Sequence, residues 1–508
     1  MKPVFFFAFC SILFCRIASA ANCEGLATLP LPHATIGTAE LVPAGTFTPK
    51  GPAPIHDLPA FCRVAAVLKP SPDSNIRIEV WMPVSGWNGR YEGTGNGGYA
   101  GEISYDALAD GLRRGFAVAN TDMGTAPSSP ENGDSLIGHP EKWTDWGWRS
   151  THEMTVAAKR ILRAYYGRNP ARSYFASCST GGEQGLMEAQ RFPYDYDGII
   201  AGAPANNRTR LHMDILWNYK VAERIPADKL PAITRAVLQT CASEKAVASD
   251  GFLSSPSDCH WDPGSIVCKS GDAPNCLTTA QAEAVRSIYD GPENPVTHAS
   301  IYPGLPRGSE SGWQDLISRA KNAPYDSLFK WTFGPTWNWR KFDFNRDVAK
   351  VDAKLAPVVN ATDPNLHTFK THAHKLLTYH GWADWLVAPQ ESVNYYKSVE
   401  DTQTRAAARH HRSNAEETQE FYRLFMVPGM SHCGGGPGLN TLDALPALEL
   451  WVEKGIAPQK IIAKRMNKNT VEMTRPVCPY PQTARYNGTG NPNDAANFSC
   501  IASGSKSR

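Results

Sequence analysis

A serine that follows a short apolar strand and precedes two glycines is the residue in this chain best placed to do chemistry. The run SYFASCSTGGEQG carries Ser179 between Ser177-Cys178 and Thr180-Gly181-Gly182. A strand turning sharply into a helix presents such a hydroxyl above a sheet, as a nucleophile elbow does, and the crowded turn needs small neighbours. Ser177 stands where the G-x-S-x-G pattern has its first glycine. A serine nucleophile needs a base, and the base needs an acid to orient it. LLTYHGWADWLVAP sets Asp384 after an apolar strand, and FMVPGMSHCGGGPG sets His432 after the next one. Singly, these could be an ordinary glycine-rich turn, a turn aspartate and a surface histidine. Together, at strand ends and in the order Ser, Asp, His, they match the α/β-hydrolase triad. His432 would then take the Ser179 proton during attack on an ester carbonyl, with Asp384 holding the imidazole. The backbone N–H of Thr180 and one from Gly97-Gly98, in the loop GTGNGGYAG, are the expected oxyanion donors. That loop lacks the lysine and the spacing of a phosphate cradle.

The elements that must position these residues alternate. IRIEVWMP (76–83), FAVANT (116–121), SYFAS (173–177) and DGIIAGAP (197–204) read as strands, while 152–166 and 181–192 carry helical periodicity. Strands alternating with helices indicate a mainly parallel sheet. The rhythm lapses between about 207 and 371, a stretch rich in Pro, Gly, Trp and Cys, with helical pieces such as 278–289. It resumes with HKLLTYHG, RLFMVPG and a helix over 442–454. The expected architecture is an α/β-hydrolase core (21–206 and 372–508) with a large inserted lid domain (207–371), stapled by disulfides. Trp331, Phe333, Trp337, Trp339, Phe342 and Phe344 crowd the end of the insertion. Trp337 and Trp339 are candidates for stacking on a flat aromatic acid, with a plain lid core as the alternative.

Residues 1–20 read as a signal peptide: Lys2, an apolar run over 4–15, then Ala18-Ser19-Ala20. The expected location is therefore extracellular or periplasmic. Of 12 cysteines, Cys10 and Cys15 fall in that segment, and an exported chain with ten more implies five bridges. Spacing favours Cys241–Cys259, Cys268–Cys276 and Cys478–Cys500 and leaves Cys23–Cys62 near the start. Cys178 and Cys433 remain, one beside the proposed nucleophile and one beside the proposed base. With 51 basic against 49 acidic residues and no basic run, nucleic acid and anionic membranes are not expected partners. No Cys/His cluster has zinc-like spacing.

WNGRYEGTGNGGYAG, CSTGG, QRFPYDYDGIIAGAPANN, YHGWAD, PGMSHCGGGPG and the terminal RPVCPYP together resemble the tannase and feruloyl esterase family, which also includes a mono(hydroxyethyl) terephthalate hydrolase. The resemblance spans nearly the whole mature chain. It implies the same triad, the bridge Cys178–Cys433 and the four pairings named above, and His380 resembles a family position near the acyl pocket, with a structural histidine as the alternative. It implies a small aromatic ester as substrate, hydrolysed without a cofactor. Ferulate, gallate and terephthalate monoesters are not separated, and a serine peptidase or a non-catalytic secreted binding protein are the readings from other classes. Family lids also resemble a calcium-binding stretch C-D-x-x-D-G-x-x-D-G. Here CASEKAVASDG (241–251) keeps Asp250, but Ala242 and Lys245 replace acids. Glu244 and Ser243 would compensate only after a shift of register, so a structural calcium and a degraded site stay open as alternatives.

Overall fold

The computed structural model describes residues 22–49, 52–242 and 250–502. The expected signal peptide and Glu244 lie outside the described residues. Nine strands form one central sheet: β1 (Ala34–Val42), β2 (Phe61–Leu68), β3 (Ile76–Pro83), β4 (Arg90–Thr94), β5 (Ala117–Thr121), β6 (Arg172–Cys178), β7 (Gly198–Gly202), β8 (Lys375–Gly381) and β9 (Tyr422–Val427), in the spatial order β1-β2-β3-β5-β4-β6-β7-β8-β9. The first four in that order pair antiparallel. From β5 onward every pair is parallel. The sheet is thus mixed, with its parallel half carrying the motif-bearing loops.

Helices cover both faces, which explains why the parallel strands read as short continuous apolar runs. On one face α2 (Ser150–Tyr166) and α3 (Thr180–Arg191) bury Met154, Ile161, Leu162, Leu186 and Met187. On the other, α1 (Tyr105–Arg113) and a C-terminal helix over Leu445–Lys454 bury Leu108, Leu112, Leu448 and Trp451. Helix α2 stops where Gly167 takes φ 71°, a left-handed C-terminal position that glycine fills without a Cβ clash. The alternation in IRIEVWMP foretells one solvated face, yet only Arg77 is exposed in β3. Glu79 is buried instead, because Arg63 Nε and Nη2 donate to its carboxylate at 2.9 and 2.5 Å and Trp81 Nε1 donates at 3.0 Å.

Between β7 and β8 the described chain forms no strand of the sheet. It makes helices, among them α4 (Arg208–Ala222), α5 (Thr279–Asp290) and α6 (Asp347–Val359), around a third core that includes Trp313, Leu328, Phe329 and Trp331. All five expected disulfides are present: Cys23–Cys62, Cys178–Cys433, Cys241–Cys259, Cys268–Cys276 and Cys478–Cys500. No helix among the described residues is long and apolar enough to cross a membrane.

One acid in β4 makes stability pH-dependent. Glu92 is buried, its Oε2 has no partner, and burial pushes its carboxyl up to about 8. A raised carboxyl contributes stability that is whole below the ordinary glutamate value and lost as pH climbs through the folded value. Glu92→Gln, which stays neutral, should therefore match the parent near pH 4.5 and unfold several degrees higher at pH 8. Melting curves at the two pH values check this, and an equal Tm difference at both would refute it.

Candidate active site

Strand register places the three candidate residues at one edge. Cys178 pairs with Gly202, Gly202 with Tyr379 and Gly381 with Val427, so β6 and β7 end together and β8 and β9 end together two residues further on, at the same edge of the sheet. Loops leaving those ends form the crevice where ligands bind in α/β sheets. Ser179 leaves β6 with φ 65° and ψ −122°. Its N–H donates to Gly202 O at 2.9 Å, and its own carbonyl accepts Glu183 N–H at 3.1 Å. A Cβ on Gly181 would lie 1.9 Å from Ser177 Oγ, so the glycine after the elbow accommodates the serine before it. Ser177 therefore fits a position usually held by glycine. Where β8 ends, a Cβ on Gly381 would meet Met430 O at 2.2 Å. That close approach lets Trp382 N–H reach Val427 O and Ala383 N–H reach Met430 O, both at 2.8 Å, joining the acid loop to the base loop.

The side chains meet across these loops. His432 Nε2 lies 2.9 Å from Ser179 Oγ, and its Nδ1 lies 2.7 Å from Asp384 Oδ2. Asp384 is fully buried. Its Oδ1 accepts the N–H groups of Leu386 (2.8 Å) and Val387 (3.0 Å), and its Oδ2 also accepts from His380 Nε2 (3.0 Å). Burial alone would raise its carboxyl, but the charge of His432 and the hydrogen bonds from His380 and His432 outweigh that and hold it well below the usual carboxylate range. Asp384 is therefore a charged acceptor with its lone pairs filled, suited to orienting an imidazole Nδ1–H. The disulfide Cys178–Cys433, with Cα atoms 5.9 Å apart, links the residues flanking Ser179 and His432.

A cavity of about 450 Å³ opens over this group, lined by Gly97, Gly98, Ser179 and His432 together with Glu102, Tyr325 and Leu386. Gly97 and Gly98 thus line the same cavity as Ser179, which Thr180 follows directly in the chain. Among the described residues, the backbone N–H groups of Thr180, Gly97 and Gly98 have no internal acceptor. Tyr325 is a lining residue that sequence reasoning missed. It sits in the unpatterned segment Ala323-Pro324-Tyr325 with φ 74°, a costly conformation for a bulky residue.

Two expectations need correction. His380 is not in the acyl pocket: it is completely buried behind Asp384, with Nδ1 2.7 Å from Ser392 Oγ. Nε2 faces two acceptors, Asp384 Oδ2 and Val387 O at 3.1 Å, so it carries a proton directed at them, and Nδ1 shares a hydrogen bond with the Ser392 hydroxyl. Trp337 and Trp339 do not line the cavity over Ser179. They border a separate cleft with Asp326 and Lys330, where Trp337 stacks on Phe329 and Phe333. Their aromatic surface serves the packing of the helical region. Asp250 is already engaged, since Arg475 Nη2 donates to its Oδ2 at 2.7 Å. A carboxylate paired with a guanidinium is a poor ligand for a hard cation, and Ser243, Glu244 and Lys245, on which the calcium alternative also turns, lie outside the described residues.

The family model for tannase and feruloyl esterase matches residues 62–501. The chain belongs to the tannase and feruloyl esterase family. It is 36% identical to an uncharacterized esterase of Xanthomonas campestris pv. campestris, over 96% of this chain and 92% of that one. It is 33% identical to a probable feruloyl esterase B-2 of Aspergillus oryzae, over 94% and 95% of the two chains. The crystal structure of feruloyl esterase B from Aspergillus oryzae superposes with a TM-score of 0.85 at 28% identity, covering 94% of this chain and 99% of that one. Tannin acyl hydrolase from Aspergillus niger shares the fold, with a TM-score of 0.71 at 20% identity. This family member is a carboxylic ester hydrolase.

Proposed function

We propose that the protein is an exported serine esterase that cleaves esters of phenolic acids through an acyl-enzyme on Ser179. The observation that carries the reading is the unbroken hydrogen-bonded line from Ser179 Oγ through His432 to buried Asp384 at the floor of a cavity. In this reaction His432 Nε2 accepts the Ser179 proton as Oγ attacks the ester carbonyl. The oxyanion forms against the Thr180 N–H and an N–H of Gly97-Gly98, where preorganised donors act with little reorganisation. His432 returns the proton to the leaving alcohol, the C–O bond breaks, and the same residue activates water to release the acid and free Ser179. Asp384 stays ionised throughout. The helical segment between β7 and β8 acts as the lid, contributing Tyr325 to the cavity wall. Five disulfides and the apolar N-terminal stretch of the sequence support export.

The lining favours an acyl group without a free carboxylate. No lysine or arginine lines the cavity among the described residues, and Glu102 does. A terephthalate monoester would bring its negative charge to an anionic wall with no cation to meet it. Methyl ferulate or methyl gallate should accordingly be hydrolysed with kcat/KM at least about tenfold above that of a terephthalate monoester, the loss of one modest charge contact being about 1.4 kcal/mol. Negligible rates on both phenolic esters would overturn the substrate class and leave the family intact.

A further inference from the structure

The side chain that follows the nucleophile is tied into the structure by bonds that the reaction above does not use. Thr180 is buried, and its hydroxyl donates to the carbonyl oxygen of Gly98 at 3.0 Å while accepting Nη2–H of Arg208 at 3.0 Å. Gly98 O takes a second hydrogen bond from Trp146 Nε1, at 3.1 Å. Arg208, the first residue of α4, is itself buried. It lies over the Trp146 ring at 4.9 Å and donates Nε–H to Glu183 of α3 at 2.8 Å. An ion pair so enclosed holds its guanidinium in one place, so the Thr180 hydroxyl has one hydrogen to give and one acceptor, Gly98, to receive it.

The glycine loop needs such a tie. Asn96 is fixed from both sides, its N–H on Gln184 Oε1 at 2.9 Å and its carbonyl under Gly181 N–H at 2.7 Å. Tyr99 N–H is fixed on Pro130 O at 3.0 Å. Between these anchors Gly98 adopts φ 53°, with Pro130 O only 1.8 Å from where a Cβ would stand. The intervening glycines have no side chains to hold them, and the Gly98 carbonyl is where α3 and Trp146 grip the segment. The oxyanion donors come from two separate loops, one after β4 and one after β6, and the Thr180 hydroxyl is a side-chain bond that joins them.

We propose that the Thr180 hydroxyl, aimed by Arg208, is a positioning group that keeps the Gly97-Gly98 amides in register with the Thr180 amide, so that both halves of the oxyanion hole converge on one oxygen. This rests on the acyl-transfer reading above. The Thr180 side chain does not touch substrate; it acts through Gly98. Because the oxyanion exists only in the transition state, loosening the register should lower kcat and leave ground-state binding alone.

Thr180→Val removes the hydroxyl at nearly constant shape, and Thr180→Ser keeps it. With p-nitrophenyl acetate, which makes no demand on acyl specificity, Thr180→Val should lose about ten- to a hundredfold in kcat with KM unchanged within twofold. Its rate of phosphonylation by a tetrahedral-adduct inhibitor should fall in parallel, while Ki for a product acid stays level. Thr180→Ser should recover most of the loss. Should the valine variant not fold, Thr180→Ala compared with Thr180→Ser isolates the same hydroxyl. A kcat within threefold of the parent for the hydroxyl-free variant, a loss confined to KM, or a serine variant as slow as valine each overturns the proposal. Ser179→Ala in the same assay separates the two ideas. Full activity there sinks the acyl-transfer reading, whereas an inactive Ser179→Ala beside a fully active Thr180→Val sinks only the positioning role.

Discussion

Ser179→Ala is expected to lower kcat on any ester this protein hydrolyses by about four to six orders of magnitude, the range seen when a triad nucleophile is removed. The reason is local. Ser179 lines the cavity, and its Oγ lies 2.9 Å from His432 Nε2. The elbow itself should survive, because Ser179 N–H to Gly202 O and Ser179 O to Glu183 N–H are main-chain bonds that alanine retains. Alanine also tolerates φ 65° no worse than serine does. Tm should therefore stay within about two degrees of the parent while turnover disappears, and KM for residual hydrolysis should change little. Steady-state kinetics with a melting curve on the same preparation checks both halves. Retention of full kcat would remove Ser179 from the mechanism, and a collapse of Tm would mean that the serine side chain supports the fold as well.

The site is readable in the sequence where main-chain architecture dictates it. Ser179, Asp384 and His432 each follow an apolar run that becomes a strand of the parallel half of the sheet, and strands that end within two residues of one another bring their loops to one edge. The cysteines beside Ser179 and His432 carry a long-range constraint that periodicity alone never supplies. What stays hidden is the side of a residue on which its neighbour sits. His380 is four positions before Asp384, close enough to guess at a shared site, yet the turn after β8 folds the acid back over the strand and buries the histidine behind it. The tryptophans fail for a related reason. An aromatic side chain that stacks on a ligand and one that stacks on Phe329 have the same composition signature, and only the path of the helices decides between them. Tyr325 carries no signal at all. Its role as cavity wall comes from a left-handed backbone held by Tyr99 and His212, whose side chains reach its carbonyl from distant parts of the chain.

Removing the bridge between the two catalytic loops should damage activity more than its distance from the substrate carbonyl would indicate. Cys178 and Cys433 are 255 residues apart, so in the chain-entropy view their link withholds on the order of 5 kcal/mol of freedom from the unfolded chain. A Cys178→Ala/Cys433→Ala double variant should accordingly melt many degrees lower. The kinetic consequence is separate. Ser179 has φ 65°, and Cys433, next to His432, has φ 64°, so a positive-φ backbone that surrounding structure must enforce lies at one end of the Ser179–His432 hydrogen bond and beside the other. Main-chain hydrogen bonds such as Ala383 N–H to Met430 O tie the base loop to the acid loop, whereas the disulfide ties it to the nucleophile loop. The covalent link acts on the distance from base to nucleophile. Well below its own Tm, the double variant should keep KM and lose about ten- to a hundredfold in kcat, the scale on which misplacing a catalytic group by about an ångström acts. Phosphonylation of Ser179 should slow by the same factor, since it needs the same base. A variant that melts early yet turns over at the parental kcat would make the bridge a fold staple alone, with the Ser179–His432 distance set by the β6 and β9 strand ends.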